Sequence, residues 1–278
     1  DWYIGSTTRD KGVPLSIKKL TTKISFNDMD KIEKELNKKK YAAYILEPYV
    51  NNKKDIDFIK KVRSLTKETG TVLIFDEIIS GFRVNLGGMQ KELNIIPDLA
   101  TFGKSIANGM PLSVIAGKKK LMKEMKEIFF STTFGGEALS ISSALATIEK
   151  IEKMDVCNKI KYYGNKLIIG LNHIISRYKL EHNMSFSGPD WWPSFKIKKT
   201  KLNTVLFKSL LRQELNASGL LINASLNISY SHCNEKIFQE TLYKYEKAIK
   251  SFSEIINSKH PEKKLKGSLI KPTFEVRS

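Results

Sequence analysis

Short apolar runs alternate with amphipathic stretches through the first half of the chain. Apolar residues at helical spacing predict a helix over residues 27–40, which Asn27 can cap, and another over residues 54–69, which Gly70 would end. Further helices are predicted near residues 118–128 and 137–153, and strands at 41–47 (YAAYILE), 71–75 (TVLIF), 99–102 (LATF) and 113–117 (SVIAG). We expect 41–47 to be buried and 71–75 to be covered on both faces. This alternation predicts an α/β fold with a mainly parallel sheet.

The pattern changes near residue 155. Helices are predicted over residues 155–178 and 204–217 and from Asn234 to about Asn257, with short strands at 220–223 and 226–230 and an extended tail after residue 261. We therefore expect a large domain over residues 1–154 and a smaller α+β domain over residues 155–278.

Charge and cysteine content argue against several classes of protein. The net charge is +18, but lysines are mixed with glutamates, as in KIEKELNKKK, which is typical of solvated helix faces and gives little support to a nucleic-acid-binding protein. Two distant cysteines, Cys157 and Cys233, argue against a disulfide framework and favour a reducing, cytoplasmic setting. No apolar run approaches the roughly 20 residues that a membrane span needs.

One lysine stands apart from the others. Gly103-Lys104-Ser105 resembles the end of a phosphate-binding P-loop, but that motif needs a glycine where the chain has Asp98. Asp76 directly follows one predicted strand and Lys104 lies two residues beyond another. Because ligands of open parallel sheets bind at the carboxyl ends of strands, these two side chains could face one cavity. A structural ion pair or a helix-capping aspartate is the equal alternative on spacing alone.

Three longer blocks decide between these alternatives. LIFDEIISGFR (73–83), PDLATFGKSIANGMPLSVIAGKK (97–119) and STTFGGEALS (131–140) resemble the class III (subgroup II) pyridoxal-phosphate aminotransferases, which include glutamate-1-semialdehyde aminomutase. LEPY (46–49) and NISYSH (227–232) extend the resemblance. It implies the fold type I of pyridoxal-phosphate-dependent transferases, pyridoxal 5'-phosphate as cofactor, and transfer of an amino group between a small-molecule amino donor and a carbonyl acceptor.

The resemblance also implies roles for individual residues. Lys104 matches the lysine that forms the Schiff base with the cofactor, and Asp76 matches the carboxylate that pairs with the pyridine nitrogen. Ile78 matches the aliphatic residue that packs on the ring, and Glu47 a more distant acid at a strand end. Thr133 matches the threonine that reaches the cofactor phosphate of the neighbouring subunit, which implies a homodimer with shared active sites.

The chain departs from the family pattern in places. The upstream phosphate-binding loop and the aromatic that stacks on the ring have no counterpart, so we expect either a fragment of a longer product or a degraded copy. Asn52 stands where ornithine-type transaminases carry a gating glutamate, and no arginine in SGPDWWPSF (187–195) matches the one that grips an α-carboxylate. Substrate identity, and the choice between transaminase and aminomutase, stay open.

Other tempting residues have plainer interpretations. Arg83 is expected to be structural, and Trp191 and Trp192 either line the substrate entrance or pack the small domain. The four histidines, His173, His182, His232 and His260, show no metal-ligand spacing. The competing functional hypotheses are a non-catalytic remnant of such an enzyme and a basic nucleic-acid-binding module.

Overall fold

The computed structural model of the protein describes residues 10–222 and 226–271. The α-helices are α1 (Leu15–Lys18), α2 (Met29–Leu36), α3 (Lys53–Thr69), α4 (Gly88–Leu93), α5 (Lys119–Met122), α6 (Ala138–Lys153), α7 (Val156–Arg177), α8 (Thr204–Ala217) and α9 (Glu235–Ile256). The strands are β1 (Ala43–Leu46), β2 (Val72–Asp76), β3 (Leu99–Phe102), β4 (Val114–Gly117), β5 (Met184–Ser187) and β6 (Ser194–Ile197). Short 3₁₀ turns cover Lys104–Ala107, Lys123–Lys126, Tyr230–His232 and Pro261–Lys264.

The chain divides into two compact units. The first comprises Asp1–Tyr44, Asn52–Leu73 and Lys271–Ser278, and the second comprises Ile45–Asn51 and Ile74–Ile270. The proposed division at residue 155 stays a prediction.

The first unit is built on two amphipathic helices, α2 and α3. Asn52 caps α3 by accepting hydrogen bonds from the backbone N–H groups of Lys54 (2.9 Å) and Asp55 (3.3 Å), and Gly70 ends it in the left-handed conformation at φ 74°. This confirms the predicted helix and its stop. The predicted cap of α2 was wrong: Asp28, not Asn27, accepts the capping bond from the backbone N–H of Lys31.

The second unit contains the site-bearing part of a four-stranded sheet. The strand order is β1-β2-β3-β4, with β2 parallel to β3 and β3 antiparallel to β4. The predicted strands are therefore present. Two burial predictions were wrong, however. Of β1 only Leu46 is buried, since this strand lies at an edge of the sheet, and β2 buries Leu73 and Phe75 fully while its alternate residues stay half-buried.

Long helices supply the main core of the second unit. α7, α8 and α9 pack together with the antiparallel hairpin of β5 and β6. Phe207 and Phe252 are fully buried, with ring centroids 4.9 Å apart, and Met184 of β5 is also fully buried. Each such side chain contributes about 1.5–3 kcal/mol by leaving water. The predicted helices at 155–178, 204–217 and 234–257 are confirmed within one or two residues.

The strands predicted at 220–223 and 226–230 were wrong. Within the described residues 220–222 and 226–230 the backbone is irregular, and it ends in the 3₁₀ turn at Tyr230. Leu220, Ile222 and Leu226 still pack on the core, because apolar spacing shows which side chains are buried but not whether the backbone finds a strand partner. The hairpin of β5 and β6, which the sequence did not predict, is instead held by the cross-strand pair Phe186–Phe195, with ring centroids 5.5 Å apart.

Candidate active site

Asp76 lies at the end of β2, directly opposite Thr101 on the parallel strand β3. Its carboxylate Oδ1 accepts hydrogen bonds from the backbone N–H of Ile78 (3.1 Å) and from the Thr101 hydroxyl (3.3 Å). Both bonds that the described residues make to this carboxylate reach Oδ1. The second oxygen, Oδ2, is therefore left to accept from a further donor.

The neighbouring carboxylate, Glu77, has a different role. Its side chain is fully buried and accepts hydrogen bonds from the backbone N–H groups of Met89 and Gln90, both at 2.8 Å, and from the Ser80 hydroxyl. A buried carboxylate is stable when its oxygens are satisfied in this way. Of the Asp76–Glu77 pair, only Asp76 is thus positioned to meet a ligand.

Lys104 follows β3 after a single glycine and begins the 3₁₀ turn Lys104–Ala107. Its backbone is left-handed, with φ 45°, which is uncommon for a residue other than glycine, and its side chain is exposed. Ile106 and Ala107 are buried and anchor the turn. A methyl group at Gly103 would lie 3.6 Å from Cγ2 of Ile78, so Ile78 packs beside the residue that precedes Lys104.

Glu47 completes what we call the strand-end cluster: Glu47, Asp76, Ile78 and Lys104. Glu47 directly follows β1. Partial burial of its carboxyl raises the pKa of Glu47, the charge of Asp76 raises it further, and the ammonium of Lys104 acts in the opposite direction. Both charges are therefore close enough to act on the same carboxyl. The structure brings together these residues from the ends of β1, β2 and β3.

A small cleft of about 10 Å³ lies beside Asp76. It is lined by Glu47, Pro48, Tyr49, Asp76, Ile79, Ser80, Trp191 and Trp192. The ring centroid of Tyr49 lies 6.3 Å from that of Trp191 and 6.1 Å from that of Trp192, with both ring pairs edge-on. The sequence offered two interpretations of the tryptophans, and the structure shows that they both line this cleft and pack on the core.

Arg83 holds the tryptophan segment in place. Its Nε donates a hydrogen bond of 3.1 Å to the carbonyl oxygen of Trp191, 108 residues away in the sequence. Burial lowers the pKa of Arg83. The sequence indicated a structural arginine but gave no sign of its partner, because no local pattern links GFR to a loop so distant.

Thr133 is not joined to the strand-end cluster. It lies on an exposed turn in which the N–H of Gly135 donates to the carbonyl oxygen of Thr132 at 3.0 Å. Within residues 10–222 and 226–271, no hydrogen bond or ion pair connects Thr133 to Asp76 or Lys104. Its role stays a prediction.

The described residues contain no group of three or more His, Cys, Asp or Glu side chains that could hold a metal ion. His232 serves a local purpose, since its Nδ1 accepts a hydrogen bond of 3.0 Å from the backbone N–H of Ser229. In the part of the chain that the structure describes, no helix has both the length and the apolar character that a membrane crossing requires.

Comparison with known proteins places this geometry in a family. Residues 12–189 match the model of the family Aminotransferase class-III. The chain belongs to this family. It is 35% identical over 188 residues to the glutamate-1-semialdehyde 2,1-aminomutase of Archaeoglobus fulgidus, covering 64% of this chain and 45% of that protein. With the protein of the same name from Methanococcoides burtonii it shares 34% identity over 193 residues, covering 65% of this chain and 46% of the relative. The chain spans about half the length of these curated relatives.

Solved structures confirm the predicted fold class. The chain superimposes on the PLP internal aldimine form of the FumI protein from Sphingopyxis sp. MTA144 with a TM-score of 0.81 and 22% identity, covering 91% of this chain and 63% of that one. An omega-transaminase from Sphaerobacter thermophilus gives a TM-score of 0.75 at 20% identity, and the match covers 87% of this chain and 60% of that one. The α/β architecture is thus that of fold type I transaminases.

Proposed function

We propose that the protein transfers an amino group between a small-molecule amino donor and a carbonyl acceptor, with pyridoxal 5'-phosphate as cofactor. The observation that carries this proposal is that Asp76 and Lys104 follow the paired parallel strands β2 and β3 at one edge of the sheet, where the charges of both act on Glu47. On this proposal, residues 1–154 belong to the cofactor-binding domain and residues 155–278 form the small domain.

The residues present fit this cofactor. Oδ2 of Asp76 can accept from the protonated pyridine nitrogen, since both bonds from the described residues reach Oδ1. Lys104 offers an exposed primary amine with no ion pair among the described residues, which can react with the cofactor carbonyl. Ile78 offers an aliphatic surface close to Gly103, the residue before Lys104.

When bound, pyridoxal phosphate supplies an electron sink that stabilises negative charge at the substrate carbon bearing the amine. The protein's residues then have separate tasks. Asp76, held by Ile78 N–H and Thr101, presents a fixed negative charge that would keep the pyridine nitrogen protonated. Nζ of Lys104 carries protons to and from the substrate carbon, and its position on a short turn anchored by buried Ile106 fixes where that proton is delivered.

Thr133 enters the proposal through a second subunit. The surface around it comprises residues 128–137 and the start of α6 to residue 145. We call residues 128–145 the apolar loop, which exposes large hydrophobic side chains. These are Ile128 (54% exposed), Phe129 (98%), Phe130 (61%), Phe134 (69%), Leu139 (62%), Ile141 (41%) and Leu145 (65%). A patch of this kind marks an interaction surface. We propose a homodimer in which this loop packs on the partner and the Thr133 hydroxyl donates to the partner's cofactor phosphate.

The relatives guide the choice of reaction. Those at 34–35% identity are named glutamate-1-semialdehyde 2,1-aminomutase, which supports exchange of an amino group within one molecule. Intermolecular transamination by the same residues is the alternative. Both cysteines are free, which supports a cytoplasmic location. The mixing of lysines with glutamates along the sequence supports a function without a nucleic-acid partner.

The test is the visible absorption of the protein, expressed from its complete gene and purified with pyridoxal phosphate. We expect a yellow protein whose bound chromophore is lost in Lys104→Ala. Lys119→Ala, which removes another exposed lysine at the end of the same sequence block, is the control and should keep the colour. A colourless wild type, or a Lys104→Ala variant with the unchanged spectrum, would refute the proposal.

A further inference from the structure

The indole N–H of Trp192 has no hydrogen-bond partner among the described residues, although its nitrogen is buried. A buried donor left unpaired is costly, so native proteins supply a partner in the great majority of cases. Trp192 lines the cleft beside Asp76. The partner should therefore be sought there.

The indole is held firmly in place. Its ring stacks on that of Trp191, with centroids 5.9 Å apart and planes 24° apart, and meets the edge of Tyr49. The backbone N–H of Trp192 donates to the carbonyl oxygen of Pro189 at 2.9 Å, and Arg83 fixes the carbonyl of Trp191. Rotation of the side chain toward another partner would break these packing contacts, so Trp192 is a fixed donor.

The cleft offers acceptors but few other donors. The carboxylates of Glu47 and Asp76 both line it, and Oδ2 of Asp76 receives no hydrogen bond from the described residues. The hydroxyl of Ser80 already donates to Glu77, and no lysine or arginine is among the described residues that line the cleft. Trp192 thus brings a buried donor without a partner among the described residues to a cleft that carries two carboxylates.

The size of the cleft decides what joins donor and acceptor. A volume of about 10 Å³ corresponds to roughly one water molecule, and a buried water is retained where it finds two to four polar partners. We propose that one bound water accepts from Nε1 of Trp192 and donates to the carboxylates of Asp76 and Glu47. Trp192 is then a positioning residue that holds the Asp76 carboxylate through this water. The bound water does not depend on the proposed function, whereas its effect on cofactor binding does.

The first test is crystallographic. At a resolution that shows ordered water, the protein and its Trp191→Phe variant should contain a water at hydrogen-bond distance, about 3 Å, from Nε1 of Trp192 and from an Asp76 oxygen. Trp192→Phe, which keeps an aromatic ring but removes the N–H, should lose it. A dry cleft, or an indole N–H that bonds directly to a protein group, would overturn the proposal.

The second test measures cofactor affinity against pH. A hydrogen-bond donor to a carboxylate favours the ionised form of that carboxylate. As the pH is lowered, Trp192→Phe should therefore lose its cofactor at a higher pH than the wild type does. At neutral pH we expect roughly a 3- to 10-fold weaker Kd for pyridoxal phosphate, in keeping with a water-mediated bond. Because Glu47 and Asp76 both line the cleft and the charge of Lys104 acts on Glu47, the same titration on Glu47→Gln separates the contribution of Glu47.

The control variant Trp191→Phe distinguishes positioning from packing. It removes a similar apolar area from the same stack but leaves the N–H of Trp192, so its acid limb should match the wild type. If the acid limb shifts equally in Trp191→Phe and Trp192→Phe, the role of the indole N–H is contradicted. It is also contradicted if Trp192→Phe loses affinity by the same factor at every pH. If Lys104→Ala keeps the colour, the proposed function fails; if colour depends on Lys104 but the cleft is dry, only this inference fails.

Discussion

The strand-end cluster and the apolar loop belong to the same unit of the chain, but they differ in their contacts. The cluster's polar side chains interact with other residues of this chain, whereas the loop's apolar side chains are exposed to solvent. In the cluster, Asp76 is oriented by Ile78 and Thr101, and the charges of Asp76 and Lys104 both act on Glu47. In the apolar loop, large apolar side chains are exposed to solvent, Phe129 almost completely. The strand-end cluster is therefore assembled from residues of this chain, whereas the segment that carries Thr133 exposes apolar surface.

The largest effect is expected from the substitution that removes the negative charge of Asp76 from the cluster. Asp76→Asn should slow amino transfer by roughly 100- to 1,000-fold, or about 3–4 kcal/mol of transition-state stabilisation, because the pyridine nitrogen loses its fixed charge partner. The amide keeps the acceptor for Ile78 N–H, so the fold should be retained. Steady-state kinetics and thermal unfolding of the same preparation provide the measurement.

Glu77→Gln is the matched control for that change. Glu77 is buried and accepts from Met89 and Gln90, so its loss should reduce the free energy of unfolding by about 1–3 kcal/mol. The folded fraction should transfer amino groups at close to the normal rate. A near-normal rate in Asp76→Asn, or a specific loss of rate in Glu77→Gln, would reverse the roles assigned to the two neighbours.

The second prediction asks whether the apolar loop completes a partner's site. Lys104→Ala and Thr133→Ala should each be impaired as homodimers. In a mixed dimer with shared sites, one site carries both lesions and the other carries neither. After random exchange of subunits we expect about a quarter of the wild-type activity to return, since half of the dimers are mixed and each has one intact site.

Activity should be followed as subunits exchange, with sedimentation to confirm the dimer. A mixture that stays at the level of its parents would show that Thr133 serves its own subunit or no site. Two Lys104→Ala preparations mixed in the same way give the baseline. An active monomer would remove the proposed role of the apolar loop.

The sequence predicted the cluster better than its surroundings for a physical reason. Asp76 and Lys104 follow strands whose parallel pairing fixes their common edge, so position along the chain translates directly into position in space. The contact of Arg83 with Trp191 spans 108 residues and the irregular segment before Tyr230 lacks a strand partner, and neither follows from local periodicity. Asn52, noted for replacing a gating glutamate, proves to be the cap of α3, a role that its helix-start position could have indicated.

The smallest expected effect concerns Glu47. Partial burial and the charge of Asp76 raise the pKa of Glu47 in the folded chain above its unfolded value of 4.5. In the window between these two pKa values, the native state binds more protons than the unfolded state. Stability should therefore fall slightly as pH rises through that window. Because Glu47 stays exposed to solvent, the effect is screened and small. Glu47→Gln cannot ionise, so its stability relative to the wild type should rise slightly over the same window. Urea unfolding at several pH values measures this difference, and a difference that does not change with pH would show that folding does not raise the pKa of Glu47.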